Sequence, residues 1–383
     1  MNSDKLFSKI EELYGSYLGF WADVCNIESQ TCDKAGVDAV GRYFASAAEK
    51  RGWAVDILEM QDAGDVVVIT MNPDAQKAPI SVSGHIDTVH PKGLFPTPAV
   101  SFDEDKIYGP GVTDCKGGAV ACFLAMDALY ECGFTSRPVK LFLQSDEEVG
   151  SVLSGKATIN YICDKARDSV AFLNTESAKG ADTAMTSCKG ILRYNFTVHG
   201  VAMHSSSCTD AANAVAEAAY KIIELEKMKD KDGITCNCGV IKGGTVANAV
   251  ADYCSFTADV RFTCDEEEAA ARRKLREVAE RTTVAGCSCE LTEINTRPAM
   301  PRTDRNVALL DTVNGINAKV GLPHLGEMRF LGGTDAAYVT KAGIPCIDGL
   351  GVEGGLIHSR DEFAYKRSLA HAAKQIAAII AYI

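Results

Sequence analysis

The chain has 383 residues, 46% of them apolar, and a formal net charge of −12 at pH 7. That length calls for two domains, or one domain with a large insert, and the apolar share can fill a sizeable core. The acidic balance argues against nucleic acid as a partner and suits a protein that holds cations.

The N-terminus, Met1 to Lys5, is polar, and no run is long enough to span a bilayer, so a soluble cytoplasmic protein without membrane contact is expected. Apolar residues recur at helical spacing from Leu6 to about Ile27, and a second helix is predicted from Ala35 to Arg51, ended by Gly52. Strands follow at Ala54–Leu58, Val66–Thr70 and Pro79–Ser83. The last runs into Ser83-Gly84-His85-Ile86-Asp87, in which His85 and Asp87 stand two apart and leave extended backbone on one side. A carboxylate there can hold an imidazole in one tautomer, as a metal-ligating histidine requires. His-x-Asp alone is a weak signal, since many surface loops contain one.

A proline-containing loop leads to Tyr108-Gly-Pro-Gly-Val-Thr-Asp114, followed by a helical run from Ala119 to Tyr130. Asp114 reads either as a ligand or as a helix N-cap. Val139–Gln144 is a strand whose exit carries Asp146, Glu147 and Glu148. Such a charge run is commonly a solvated turn, but adjacent carboxylates at the end of a buried strand repel unless a cation lies between them. Ser169–Asn174 is another apolar strand, ending in Thr175-Glu176. Strands alternating with helices describe an α/β sheet, and ligands of such sheets gather at the carboxyl ends of strands.

The rhythm changes near Lys189-Gly190. Strand Ile191–His199, a helix from Ala211 to Met228 with Asp210 as candidate N-cap, strands Ile234–Ile241 and Val250–Phe262, a helix from Glu266 to Arg281 and strand Ser288–Asn295 make a β-α-β-β-α-β, ferredoxin-like unit. It reads as a lid inserted into a catalytic domain, with boundaries at 1–188, 189–296 and 297–383. The chain returns with a helix near Asn306–Val320, the loop Leu331-Gly-Gly-Thr-Asp335, a short strand Ile344–Ile347, a loop from Gly349 to His358 and a C-terminal helix from about Tyr365. Fifteen scattered cysteines, an odd number, read as reduced thiols. Cys236-x-Cys238 and Cys287-x-Cys289 have no partner pairs at zinc-finger spacing. Two imidazoles, His85 and His358, and three carboxylates, from Asp114, the run Asp146-Glu147-Glu148 and Glu176, can build two zinc sites that share one carboxylate.

Together, His85-Ile-Asp87, Gly111-Val-Thr-Asp114, Asp146-Glu-Glu148, Thr175-Glu176, Gly332-Gly-Thr-Asp335 and His358-Ser359 resemble the M20 family of co-catalytic zinc peptidases and amidohydrolases. The likeness is greatest to its carboxypeptidase G2 type, with acetylornithine deacetylase and succinyl-diaminopimelate desuccinylase related. The match runs in order over nearly the whole chain. The resemblance implies that Asp114 bridges two metal ions, that His85 and Glu176 complete one site, and that Glu148 and His358 complete the other. It makes Asp87 the residue that orients His85, and Glu147 the general base.

In the lid, His199-Gly-Val-Ala-Met-His204-Ser205 resembles the family's histidine motif, which makes His204 the oxyanion stabiliser, often across a dimer. Asn248 and Arg261 resemble the carboxypeptidase branch's binders of a substrate carboxylate. The alternative for Arg261 is an ion pair with Asp259. A lysine that this branch uses near the lid is not matched to Lys179 or Lys189. Asp335 is expected to be at least partly a helix cap. Glu176 fits the carboxypeptidase and deacylase branches rather than aminoacylases and dipeptidases.

The function so implied is cleavage of an amide bond in a peptide or N-acyl amino acid with a free carboxylate, releasing a C-terminal amino acid, with glutamate a candidate. Two divalent ions, Zn2+ before Co2+ or Mn2+, and a homodimer through the lid go with it. The alternatives are an N-acyl-diamino acid deacylase and, of another class, a metal-binding scaffold without turnover.

Overall fold

The structure, a computed structural model, describes residues 1–178, 180 and 182–383. The chain divides into two compact units: Met1–Thr186 with Arg302–Arg329 and Thr334–Ile383, and Ser187–Pro301 with Phe330–Gly333.

In chain order the first unit opens with α1 (Ser3–Asn26) and α2 (Lys34–Glu49), then β1 (Ala54–Leu58), β2 (Val66–Met71), β3 (Ile80–His85), β4 (Ser101–Phe102) and β5 (Lys106–Tyr108). Then come α3 (Lys116–Glu131), β6 (Val139–Gln144), α4 (Ala157–Ala166), β7 (Ala171–Asn174) and β8 (Thr183–Cys188). The insert holds β9 (Gly190–His199), α5 (Ala214–Leu225), β10 (Thr235–Gly243), β11 (Tyr253–Phe262), α6 (Asp265–Glu280) and β12 (Ser288–Arg297). The chain closes with α7 (Asp304–Val320), β13 (Gly326–Phe330), α8 (Ala336–Lys341), β14 (Cys346–Ile347), β15 (Gly354–Gly355), β16 (Phe363–Tyr365) and α9 (Lys366–Tyr382).

The main sheet has the order β1-β2-β6-β3-β7-β14. Strands β6, β3, β7 and β14 run parallel, while β1 and β2 form an antiparallel flank. Strands β3, β6 and β7 are buried on both faces; β6 and β7 read as largely apolar runs, while in β3 the small Ser81 and Ser83 alternate with Ile80 and Val82. Helix α3 is apolar nearly all round for the same reason: residues Lys116 to Leu129 are all buried. It packs closely because Gly118 has no side chain; a Cβ there would stand 2.2 Å from the Thr175 carbonyl oxygen. Aromatic packing of Phe20, Phe44, Trp53 and Phe123 ties α1, α2 and α3 together. A small sheet of order β15-β16-β5-β4 brings the segment after β5 beside the segment before β16.

The second unit is a four-stranded antiparallel sheet of order β10-β11-β9-β12, with α5 and α6 in the connections. Burial alternates along β9 and β11, so one face carries the core, where Phe196 stacks on Phe256 at 4.6 Å between centroids. This is the mixed α/β arrangement with a ferredoxin-like insert that the sequence predicts.

Several local expectations change. Helix α5 is capped by Asn213, whose side chain accepts from the Val215 and Ala216 amides, and not by Asp210, which ends a short 3-10 turn. Asp335 precedes α8 but makes no side-chain cap bond; its Oδ2 accepts from Gln144 Nε2 at 3.0 Å. Helix α4 has no counterpart in the sequence reading, because its Thr-Ile-Asn-Tyr-Ile-Cys run has weak helix propensity. No helix among the described residues is long and apolar enough to cross a membrane.

Candidate metal centre

Three parallel strands end side by side. His85, the last residue of β3, is level with Gln144, the last of β6, and Ser83 is level with Asn174, the last of β7. The residues that follow each strand therefore converge at one edge. Glu147 and Glu148 leave β6, and Glu176 leaves β7. Asp114 arrives from the turn before α3, where Cys115 rather than Asp114 occupies the N-cap position and makes no side-chain cap bond. His358 arrives from the loop between β15 and β16, in the left-handed region at φ 62°, a conformation a non-glycine residue holds only when its surroundings impose it.

The convergence is tight. Asp114 stands between the two imidazoles, with Oδ1 3.0 Å from His85 Nε2 and Oδ2 3.2 Å from His358 Nε2. Glu148 Oε2 lies 3.3 Å from His358 Nε2, and Glu176 Oε1 lies 3.9 Å from His85 Nε2. Donor atoms of His85, Asp114 and Glu148 all fall within 4.8 Å of one another, as do those of His85, Cys115 and Glu176. Asp87 lies behind: its Oδ1 is 3.3 Å and its carbonyl oxygen 3.0 Å from His85 Nδ1. The same carboxylate accepts the amides of Glu147 at 3.2 Å and Glu148 at 3.1 Å, and the Thr31 hydroxyl at 2.8 Å. Asp87 thus orients the histidine and the acidic turn at once.

The electrostatics are those of a centre short of positive charge. Burial pushes Glu148 up to about 7, and the neighbouring Asp114 and Glu147 add to it. Burial also drives Glu176 well above the carboxylate range, with Glu147 reinforcing it. Hydrogen bonds to Asp114 and Glu148 raise His358 to about 10. Burial opposes charging of His85, but the acidic groups around it (the Cys115 thiol, Asp114 and Asp87) outweigh it and hold it well above the imidazole range. For Asp114, burial is outweighed by His358 and His85, which keep its carboxyl below the usual range. Buried carboxylates can share such a volume only with protons or a cation between them. An oxygen and imidazole donor set of this kind fits a divalent ion, zinc included.

Other residues, outside the predicted ligand set, build the walls. Asp348 accepts the Glu176 amide at 3.3 Å and the Thr334 hydroxyl at 2.6 Å; this is the use made of the Gly332-Gly-Thr-Asp335 segment. Lys116 is fully buried, and its Nζ donates to the carbonyls of Val24 and Ile27 at the end of α1. Asp146, the first of the three consecutive acids, turns away and accepts from Thr158 and the Ser154 amide. Only an acid placed near a motif residue hints at such roles in the sequence, and that signal is too common to select them.

The remaining candidates belong to the second unit. His204 is exposed, and its Nδ1 accepts from the Ser206 amide at 3.3 Å and lies 2.8 Å from the Ser206 hydroxyl, which leaves Nε2 outward. Asn248 is its neighbour, since the Asn248 carbonyl accepts the Ser205 amide at 2.9 Å. Arg261 is elsewhere. It lies near the far end of β11, a strand that is roughly 30 Å long at about 3.4 Å per residue, whereas Asn248 precedes Tyr253 at the near end. Arg261 Nε donates to Asp259 Oδ1 at 2.6 Å, and Asp259 also takes two bonds from Arg193. The ion pair offered as the alternative for Arg261 is therefore present, and one copy of this unit does not bring Arg261 to His204 and Asn248. Lys189 is buried, with Nζ bonded to the carbonyls of Lys231 and Gly233. Lys179 lies outside the described residues.

Comparison with known proteins shows the family. Residues 82–382 match the model of peptidase family M20/M25/M40. Carboxypeptidase G2 of Pseudomonas sp. (strain RS-16) is 28% identical over 340 residues, covering 87% of this chain and 81% of that protein. A protein assigned as the succinyl-diaminopimelate desuccinylase DapE in Mycobacterium tuberculosis (strain H37Rv) is 26% identical over 296 residues, covering 74% of this chain and 77% of its own. Among solved structures, a tripeptidase from Staphylococcus aureus superposes with a TM-score of 0.80 at 20% identity, over 99% of this chain and 98% of that one. The chain belongs to peptidase family M20/M25/M40, an enzyme family of metallopeptidases and amidohydrolases.

Proposed function

We propose that this protein is a two-ion hydrolase that cleaves the amide bond of a peptide or N-acyl amino acid bearing a free carboxylate, and releases a C-terminal amino acid, with glutamate the candidate. The observation that carries the reading is Asp114 held between His85 and His358, with Glu176 and Glu148 on the outer sides. His85, Glu176 and Asp114 would hold one ion, and His358, Glu148 and Asp114 the other, with zinc the candidate and cobalt or manganese able to substitute. When bound, such ions would supply Lewis acidity and lower the pKa of a coordinated water.

The chain's own residues do the rest. Asp87 keeps His85 in one tautomer through Nδ1, so that Nε2 faces the centre. Glu147, whose neighbour Glu148 is a ligand, serves as general base: its carboxylate takes a proton from water and passes it to the leaving amine. His204 stabilises the oxyanion through its outward Nε2. Asn248 and Arg261 bind the substrate carboxylate, Arg261 by exchanging its partner Asp259 for the substrate. The separation of Arg261 from His204 and Asn248 within one copy supports a homodimer in which the two copies each supply part of a site. Exposed Val240 and Ile241 on edge strand β10, and Tyr220 and Ile223 on α5, are candidate contacts for that dimer.

The test is a hydrolysis screen of N-acyl amino acids and short peptides against N-acyl-diamino acids, with Zn2+, Co2+ or Mn2+ added. Faster cleavage of N-acyl-diamino acids would replace this reading by the deacylase reading, which the likeness to the DapE protein keeps open. Glu147→Gln should lose about 10²- to 10⁴-fold in rate with metal content unchanged; retained activity would remove Glu147 from its role. Absence of any hydrolysis in both panels, with metal bound, would favour a scaffold.

A further inference from the structure

Glu362 lies four residues beyond His358 and is only 1% exposed, yet it has no place in the chemistry above. Its carboxylate is fully engaged. Oε1 accepts the amides of Thr113 at 2.9 Å and Asp114 at 3.0 Å. Oε2 accepts the Gly111 amide at 3.2 Å and lies 3.0 Å from His90 Nε2. Its carbonyl takes the Gly109 amide at 3.2 Å, and the next carbonyl, of Phe363, takes the Thr113 hydroxyl at 2.6 Å.

The segment from Gly109 to Asp114 has neither a strand ladder nor a helix to satisfy its amides. Gly109 and Gly111 hold positive φ angles, 151° and 75°, and the turn they form leaves the Gly111, Thr113 and Asp114 amides to the Glu362 carboxylate while the Val112 amide returns to the Gly109 carbonyl. A buried amide without an acceptor is costly, and an ionised carboxylate is the strongest acceptor available. Glu362 therefore laces the Asp114 segment to the segment that carries His358. Of the residues around the centre, His85 ends a strand and Glu148 and Glu176 lie in the turns just after strands, but Asp114 and His358 come from longer irregular segments, and the Glu362 carboxylate joins the two.

We infer that Glu362 is a positioning residue that sets the spacing between Asp114 and His358, and so governs the ion on the His358 and Glu148 side more than the ion on the His85 and Glu176 side. The inference rests on the two-ion reading, and the experiment separates the two. Metal-free protein is titrated with Co2+ alone, following binding by calorimetry and by the visible spectrum of the bound ion. The wild type should take up two ions. Glu362→Ala should bind the first as the wild type does, and the second at least tenfold more weakly, with the spectral change of that second step altered. Glu362→Gln keeps one acceptor oxygen and should restore part of the second affinity.

A wild type that binds fewer than two ions overturns the two-ion reading and this inference with it. A wild type that binds two, with Glu362→Ala binding both at wild-type affinity and with the same spectrum, overturns the inference alone. If Glu362→Ala does not fold, Glu362→Asp, which withdraws the carboxylate by one methylene, takes its place: selective weakening of the second ion supports the inference, and equal weakening of both, or of neither, overturns it.

Discussion

Replacing Asp87 by asparagine tests the site where it is most constrained. Asp87 is fully buried, so water cannot supply what is lost. Its Oδ1 serves the Glu147 amide and faces His85 Nδ1, while Oδ2 serves the Glu148 amide and the Thr31 hydroxyl. Asparagine keeps one oxygen. Whichever position that oxygen takes, the new NH2 meets one of the two backbone amides donor to donor. An orphaned buried amide costs about 1–3 kcal/mol, and the surviving bonds lose their ionic share, about 1 kcal/mol more. A total of about 3 kcal/mol corresponds to a fall in Tm of roughly 6–12 °C for a unit of this size. Because the same carboxylate orients His85, metal affinity should fall about 10- to 100-fold. Differential scanning fluorimetry of the metal-free protein gives the first quantity, and zinc competition against a chromophoric chelator gives the second. Thr31→Val removes one donor and leaves the carboxylate, so it sets the scale and should cost about 1 kcal/mol. Wild-type Tm and wild-type zinc affinity in Asp87→Asn would refute the argument that this carboxylate ties the histidine to the acidic turn.

Two further outcomes are expected. Gly118→Ala would place a Cβ 2.2 Å from the Thr175 carbonyl oxygen, so α3 must move about 1 Å from the residue that precedes Glu176, costing about 3 kcal/mol by denaturant unfolding. Gly15→Ala in α1 meets nothing within 4 Å and should instead stabilise by about 0.5–1 kcal/mol; equal effects would discredit the packing account. The pH dependence has a definite sign. His358 is raised to about 10 and Glu148 to about 7 in the metal-free protein. The stability that His358 contributes is therefore full below about 6.5 and fades as pH rises toward 10, and Glu148 loses stability in the same direction on ionising through about 7. A bound ion requires neutral imidazole, so metal uptake should release protons, and the Tm difference between loaded and metal-free protein should widen from pH 6.5 to 9. Calorimetry in buffers of different ionisation enthalpy counts the protons; a count of zero at pH 7 would show that the imidazoles are already neutral.

Much of the fold is legible locally. The largely apolar runs of β6 and β7 and the alternation along β9 and β11 mark strands because burial on two faces or on one leaves a direct pattern in the residues. The same is true of His85, Asp114, Glu147, Glu148, Glu176 and His358, which sit just after strands or glycine-rich turns, where side chains are free to converge. Helix α4 was not legible, because its weak helix formers adopt the helix only in their tertiary surroundings. Nor was the choice between Asp210 and Asn213 as a cap, which depends on where the 3-10 turn ends.

What the sequence determined alone is most of the longer elements and the family of chemical groups, since both follow from residue type and short-range spacing. What only the tertiary structure decided is which acids face the centre and which hold the walls. Asp146 is adjacent to Glu147 in sequence but turns to Ser154 and Thr158, while Glu362, 248 residues from Asp114, bonds its amide. A carboxylate's role is set by the donors that surround it in space, and for a buried group those donors come from segments that no spacing rule connects.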